Sequence, residues 1–154
     1  MRISSVAFLF EDIEIVEKEA KKATIPSHNS SEAIRGATCL AGTIFLARKK
    51  QGKDKIKKYV TKKYGYNLNY NLEELQENNT WTCEVTVPQA IFLFLKSNNF
   101  EDSIRKAISI GGDTDTIDCM VGGFSEAYYG IPKELRNKAI KLLPTDLRNI
   151  IIKA

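Results

Sequence analysis

The residues with the clearest capacity for chemistry lie in one short segment, Gly111–Thr116, which reads GGDTDT. Asp113 and Asp115 are one residue apart and Thr116 follows, so the segment offers hard oxygen ligands of the kind that Mg²⁺, Mn²⁺ or Ca²⁺ prefers. An EF-hand also opens with alternating acidic residues, but its twelfth position requires a bidentate glutamate, and Phe124 stands there. The segment therefore predicts a metal site of another kind.

A structural interpretation of the same residues is also open. Gly111 and Gly112 are suited to ending one helix, because glycine readily adopts the left-handed conformation found there. Thr114 or Asp115 would then cap the next helix through a side-chain oxygen. The pattern is too short to decide between a metal site and a helix cap.

A longer stretch around the motif narrows the choice. Residues 107–132, AISIGGDTDTIDCMVGGFSEAYYGIP, resemble the C-terminal signature of the ADP-ribosylglycohydrolase family. Upstream, MRISSVAFLF, SHNSSEAIRGATCLAGTIFLAR and EVTVPQAIFLFLKSNNFEDSIRKAISIGG resemble successive blocks of that family in the same order. The resemblance covers essentially the whole chain, whereas the family's domain is longer and its N-terminal portion is absent here.

The resemblance implies an activity and a set of site residues. Members of the family hydrolyse N- or O-glycosidic bonds to ADP-ribose at a binuclear centre, for which we expect Mg²⁺ or Mn²⁺. Asp113, Asp115 and Thr116 match its metal ligands, and His28 matches a histidine near the ADP-ribose. Met1–Arg2 resembles the end of a glycine- and asparagine-containing loop that helps to hold the substrate.

His28 also has a simpler interpretation, as a surface histidine beside a helix start. Asn29 or Ser30 would cap that helix ahead of Glu32. A neutral imidazole can equally donate a hydrogen bond to a hydroxyl or phosphate oxygen of a ligand. Both interpretations stay open on the sequence.

The predicted metal site is only half supplied by this chain, because two divalent ions need more oxygen ligands than Asp113, Asp115 and Thr116 provide. The family's N-terminal catalytic acid and its Thr-Asp-Asp cluster are missing, so no catalytic residue is assigned. Asp118 stands where the family more often has a small residue, and it would either add an outer ligand or disturb the site. Two hypotheses follow: a hydrolase completed by N-terminal elements, or an inactive homologue that keeps a partial metal or ADP-ribose site.

Hydrophobic periodicity predicts an all-α fold, since helical spacing recurs and strand alternation does not. Stripes of apolar residues mark two early helices, around Ile13–Ala20 and Ala33–Ala47. Val85, Val87 and Pro88 are expected to form a short extended entry into a helix. Further helices are predicted at Lys53–Tyr64, Leu72–Glu77, Val87–Lys96, Phe100–Ser109, Thr116–Tyr129, Lys133–Leu142 and Thr145–Ile152.

Composition is that of an ordinary globular protein, with 154 residues, 43% hydrophobic and 27% charged. We expect one all-α domain over residues 1–154, with no membrane span or signal peptide and a cytoplasmic location. Cys39, Cys83 and Cys119 fit neither a disulfide scaffold nor a C-x-x-C motif, and we expect reduced, largely buried thiols.

A basic stretch raises the question of other partners. Nine of the sixteen residues from Arg48 to Lys63 are Lys or Arg, yet the chain carries a net charge of only +4. Apolar residues interleave at helical spacing, which is typical of an amphipathic helix, so nucleic-acid binding is not expected. Because exposed apolar helix faces need cover, we expect association with a second copy or with a separate N-terminal chain.

Overall fold

The computed structural model describes residues 2–71, 75 and 82–153. Residues 152 and 153 are described by their backbone alone. A 3₁₀ turn at Arg2–Ser5 precedes the helices. The helices are α1 (Val6–Leu9), α2 (Ile13–Thr24), α3 (Ser31–Arg48), α4 (Lys53–Tyr64), α5 (Cys83–Lys96), α6 (Phe100–Ser109), α7 (Thr114–Tyr129), α8 (Lys133–Leu142) and α9 (Thr145–Lys153). The described ranges contain no strand, so the all-α prediction is confirmed.

Most helix bounds agree with the sequence prediction, but α5 differs. It begins at Cys83, and Pro88 lies inside it, so the extended entry expected at residues 85–88 is wrong. Thr86, Val87 and Pro88 are all buried, and their packing outweighs the backbone hydrogen bond that proline cannot make. The predicted helix at Leu72–Glu77 falls outside the described residues except for Leu75, which is buried.

Helix α3 is the centre of the fold. It packs against α1, α2, α4, α5 and α7. A helix surrounded in this way needs apolar or small residues on all sides. Its buried residues are Ala33, Gly36, Cys39, Leu40, Ala41, Gly42, Thr43, Ile44, Phe45 and Ala47.

The segment from Lys49 to Lys53, called the capping loop below, joins α3 to α4 and ends on the first residue of α4. It ties the C-terminal ends of α5 and α7 to that of α3. Lys50 Nζ donates to the carbonyls of Ala127 and Tyr128, at 3.1 and 2.5 Å, near the end of α7. Lys53 Nζ donates to the Leu95 carbonyl at 3.0 Å, near the end of α5. Cations are favoured at helix C-termini because unpaired carbonyls concentrate there. These contacts place the ends of α3, α5 and α7 at the same end of the molecule.

Arg48 does the same for α1, by donating to the carbonyls of Phe8 and Phe10 at 3.1 and 2.6 Å. The guanidinium also lies near the rings of Phe8 and Phe45. Part of the basic stretch therefore serves intramolecular capping, which agrees with its interpretation as a structural feature. In the described ranges, no helix combines the length and apolar character needed to cross a membrane.

One close approach fixes α4 against α3. The Tyr59 hydroxyl donates to Glu17 Oε1 on α2 at 2.5 Å and lies directly over Gly42. A Cβ atom on Gly42 would stand 2.7 Å from Tyr59 Cζ and closer still to the hydroxyl. Only glycine leaves room for this hydrogen bond between α2 and α4.

The substitution Gly42→Ala should lower the free energy of unfolding by about 2–3 kcal/mol, because the added methyl must displace Tyr59. Urea unfolding followed by circular dichroism measures the change. Gly122→Ala is the matched control, since its Cβ would meet Ile104 Cδ1 at an ordinary 3.7 Å. That control should gain about 0.5–1 kcal/mol from helix propensity. Equal stabilities of the two variants would contradict the packing described.

Candidate functional site

A cavity of about 390 Å³ opens at the other end of the bundle, beside the N-terminal halves of α3, α5 and α7. Its wall is mainly apolar, with a few polar groups at defined places. The lining residues are Arg2, Ile3, Thr24, His28, Ala33, Gly36, Ala37, Leu40, Cys83, Thr86, Val87, Thr116 and Met120. Since the C-terminal ends of the same three helices meet at the capping loop, α3, α5 and α7 run in the same direction.

The direction of these helices gives the cavity its electrostatic character. Each helix N-terminus carries a partial positive charge and unpaired backbone N–H groups, which favour a bound anion. Arg2 adds a full positive charge to the lining. Three N-termini and one arginine around an apolar wall are suited to a ligand that has both an anionic group and a ring system.

The Gly111–Thr116 segment forms the turn between α6 and α7. Gly111 and Gly112 have φ angles of 72° and 71°, in the left-handed region that favours glycine. The prediction that these glycines follow a helix end is therefore correct. Thr114 and Asp115 lie inside α7, so the alternative interpretation, in which one of them caps this helix, is wrong.

Asp113 occupies the N-cap position of α7, but its side chain accepts no capping hydrogen bond from the described backbone of that helix. Asp115 Oδ1 accepts from the Thr116 backbone N–H at 2.9 Å. Hydrogen bonding with the Asp113 carboxyl, followed by that with the Thr116 backbone, lowers the pKa of Asp115. Asp113 therefore has no capping role, and its carboxyl lies within hydrogen-bonding reach of Asp115.

Asp118 does not extend this pair into a larger cluster. Among the described residues, no group of three or more His, Cys, Asp or Glu side chains is placed to hold a metal ion. Burial raises the pKa of the Asp118 carboxyl, and its Oδ1 atom is buried without a hydrogen-bond partner among the described residues.

His28 satisfies parts of both interpretations drawn from the sequence. It is exposed and stands two residues before Ser30, which caps α3 by accepting from the Ala33 N–H at 3.1 Å. It also lines the cavity together with Thr116, from a distant part of the chain. Asp115 immediately precedes Thr116 and Asp113 lies three residues before it, but neither acid is among the described residues that line this cavity.

The sequence reasoning missed one wall of the cavity. Cys83, Thr86 and Val87 line it from the first turns of α5, a part of the helix that was expected to be extended. A usable signal was present, because Thr82 followed by Glu84 is typical of a helix N-terminus. On α7, the i, i+4 spacing of Thr116 and Met120 places both on one face.

Comparison of the sequence with known proteins identifies the family of this chain. The sequence model of the ADP-ribosylglycohydrolase family matches residues 1–151. The chain is 24% identical to ADP-ribosylhydrolase ARH3 of Bos taurus in an alignment 180 residues long, gaps included. The alignment covers 85% of this chain and 49% of that protein. It is also 24% identical to an uncharacterized protein of Archaeoglobus fulgidus over 153 residues, covering 86% of this chain and 50% of that protein.

A shorter match is more similar in sequence. It reaches 39% identity with human ADP-ribosylhydrolase ARH3 over 57 residues, or 30% of this chain and 16% of the human protein. The match of the family model over almost the entire chain means that this chain belongs to the ADP-ribosylglycohydrolase family. It spans about half the length of its cattle and archaeal relatives.

The three cysteines differ in environment, which corrects the expectation that all are largely buried. Cys39 is buried, Cys83 is partly exposed in the cavity wall and Cys119 is exposed. Burial, as the main cause, raises the pKa of the Cys39 thiol to about 12. Because the thiolate is the reactive form, Cys39 should be almost inert at neutral pH.

Alkylation of the native protein with iodoacetamide should therefore modify Cys119 first, Cys83 more slowly and Cys39 last. A pKa about 3 units above the ordinary thiol value makes the Cys39 thiolate fraction roughly a thousandfold smaller. Mass spectrometry of peptides from timed samples measures the three rates. The denatured protein is the control, in which the rates should converge. Rapid modification of Cys39 in the native protein would contradict the packing of α3.

Proposed function

We propose that this chain forms the ADP-ribose-binding part and half of the metal site of an ADP-ribosylglycohydrolase. Hydrolysis of an N- or O-glycosidic bond to ADP-ribose takes place when N-terminal elements complete the site. The main support is the cavity at the three helix N-termini, where Arg2, His28 and Thr116 meet. Serine, arginine and free ADP-ribose conjugates are all consistent with this part of the site.

The character of the cavity fits ADP-ribose in two respects. The diphosphate suits the partial positive charge of the helix N-termini and the guanidinium of Arg2. The adenine and ribose rings suit the apolar wall, in which Leu40, Val87 and Met120 take part. His28 can serve a hydroxyl or phosphate oxygen at the rim.

The donor set also fits part of a divalent metal centre. Two carboxylates and a hydroxyl are ligands that Mg²⁺ and Mn²⁺ accept, and Asp113 is free of a capping role. Such a metal would polarise or orient a ribose hydroxyl or a water molecule. Asp113, Asp115 and Thr116 hold the ion on this side, and a complete centre needs further oxygen ligands besides these three.

The alternative is a catalytically inactive homologue that keeps a partial metal or ADP-ribose site. Two observations favour it: the absence of a larger cluster of metal-binding side chains in the described part of the chain, and the match to only half of the relatives' length. The two candidates share the same cavity and the same acids. They differ in whether ADP-ribose is released from a conjugate.

Titration calorimetry with Mn²⁺ tests the metal site. Variants of outer ligands alone weaken metal binding by about 10–100-fold. The double variant Asp113→Ala, Asp115→Ala should therefore bind Mn²⁺ at least about a hundredfold more weakly than the native chain. Asp54→Ala, Asp146→Ala is the matched control, because it makes the same change in charge at the starts of α4 and α9.

If both double variants weakened Mn²⁺ binding equally, the loss would reflect the change in net charge alone. That result would contradict a metal site at Asp113 and Asp115. Release of ADP-ribose from serine- and arginine-linked peptides then separates the two functions. Release by the chain together with an added N-terminal half supports the hydrolase. Metal and ADP-ribose binding without release in that mixture supports the inactive homologue.

Exposed apolar residues support the expected association with a second copy or a separate N-terminal chain. On α1, on α2 and at the C-cap of α2, Phe8, Leu9, Ile15 and Ile25 are 43%, 72%, 46% and 39% exposed. Exposed apolar side chains mark a covered surface where they form a contiguous patch. The wider proposal is a single all-α domain over residues 1–154 in the cytoplasm, without nucleic-acid partners.

If these residues form the contact, Leu9→Gln combined with Ile15→Gln should shift the protein from dimer or larger assembly to monomer. The change has little effect on folding because both side chains are already exposed. Light scattering across a concentration series measures it. Leu142→Gln, at an 86% exposed position on α8, is the control and should leave the assembly unchanged. Dissociation by Leu142→Gln alone would place the contact elsewhere.

A further inference from the structure

A chain of polar contacts runs along the rim of the cavity from Arg2 to His28. Arg2 Nη2 donates to the Ala23 carbonyl at 3.0 Å, at the C-terminal end of α2, and to Ser27 Oγ. Ser27 Oγ in turn lies 2.8 Å from His28 Nδ1. Arg2 and His28 both line the cavity, so this contact chain is part of its wall.

The direction of each hydrogen bond follows from counting protons. A guanidinium only donates, so Ser27 Oγ is the acceptor from Arg2. The serine hydroxyl then keeps one proton and one lone pair, so it can either donate to His28 Nδ1 at 2.8 Å, or accept from it and donate to the Thr24 carbonyl at 3.4 Å. The shorter distance favours the imidazole.

The Thr24 carbonyl is also already occupied. It accepts the backbone N–H groups of Ser27 and His28 at 3.1 and 2.9 Å, which use both of its lone pairs. The hydroxyl proton of Ser27 therefore goes to His28 Nδ1. In a neutral imidazole that accepts at Nδ1, the remaining proton is on Nε2.

We propose that Ser27, held by Arg2, is a positioning residue that fixes the tautomer of His28, so that its Nε2–H group is the hydrogen-bond donor offered to a ligand in the cavity. The ligand group that this donor recognises is an acceptor oxygen, such as a phosphate oxygen or an ether or hydroxyl oxygen of a sugar. This inference rests on the proposed function in one respect, that His28 contacts the ADP-ribose moiety.

The consequence for binding is a preorganised donor. Without Ser27, the neutral ring divides between two tautomers, and part of the population presents a lone pair at Nε2. A lone pair facing a ligand oxygen gives no hydrogen bond, and that population has to exchange its proton before binding. If the two tautomers are equally populated, half of the rings are ready to donate, and the dissociation constant rises about twofold.

The chain has a single histidine, so an imidazole ¹⁵N NMR spectrum reports His28 alone. The spectrum is recorded at alkaline pH, where a histidine ring is neutral. The native chain should show a protonated Nε2 and an unprotonated Nδ1. Ser27→Ala should show averaged shifts of two tautomers, whereas Ser27→Thr, which keeps the hydroxyl, should restore the native spectrum.

A native ring protonated at Nδ1, or an unchanged tautomer in Ser27→Ala, would overturn the inference. The amide spectrum of each variant establishes that the fold is intact. Calorimetry with ADP-ribose provides the second readout, in which Ser27→Ala binds about twofold more weakly and Ser27→Thr binds as the native chain does. If the native chain does not bind ADP-ribose, the proposed function fails, while the tautomer spectrum still decides the role of Ser27.

Discussion

The architecture depends on the shared direction of α3, α5 and α7. Lys50 and Lys53 donate to carbonyls at the ends of α7 and α5, immediately after α3 itself has ended. The capping loop therefore places cations at the C-terminal ends of α5 and α7, where unpaired carbonyls carry partial negative charge, and keeps these ends beside that of α3. Because the C-terminal ends are fixed together, the N-terminal ends also meet, and α4 and α6 carry the chain back between them.

The charged groups at the two ends of the bundle therefore differ in the partners that they meet. At one end of the bundle, lysine side chains satisfy the helix carbonyls within the chain. At the other end, the helix N-termini surround a cavity, and Asp113 is left without a capping hydrogen bond from the described backbone of α7. A partly anionic ligand would find complementary groups at these N-termini and Arg2. A divalent cation would find them at Asp113 and Asp115, at the start of α7, which are not among the described residues that line the cavity.

Local signals made much of the fold predictable. Glycines after α4 and α6, and Gly130 before Pro132, set helix ends that the structure reproduces. The start of α5 was missed because Pro88 suggested a first turn, whereas burial of the surrounding residues decides the outcome. The capping role of Lys50 could not be read from the sequence, since its partners lie 77 and 78 residues away. Local patterns did not connect His28 with Thr116 either; the family resemblance placed both at one site, and both line the cavity.

The central claim is that the cavity at these helix N-termini binds the ADP-ribose moiety. Amide NMR of the chain during titration with ADP-ribose tests it most directly. The account predicts shift changes concentrated at the starts of α3, α5 and α7 and at His28, with little change in the capping loop or in α8. Absence of shift changes, or changes centred on α8 and α9, would contradict the account and place any ligand site elsewhere.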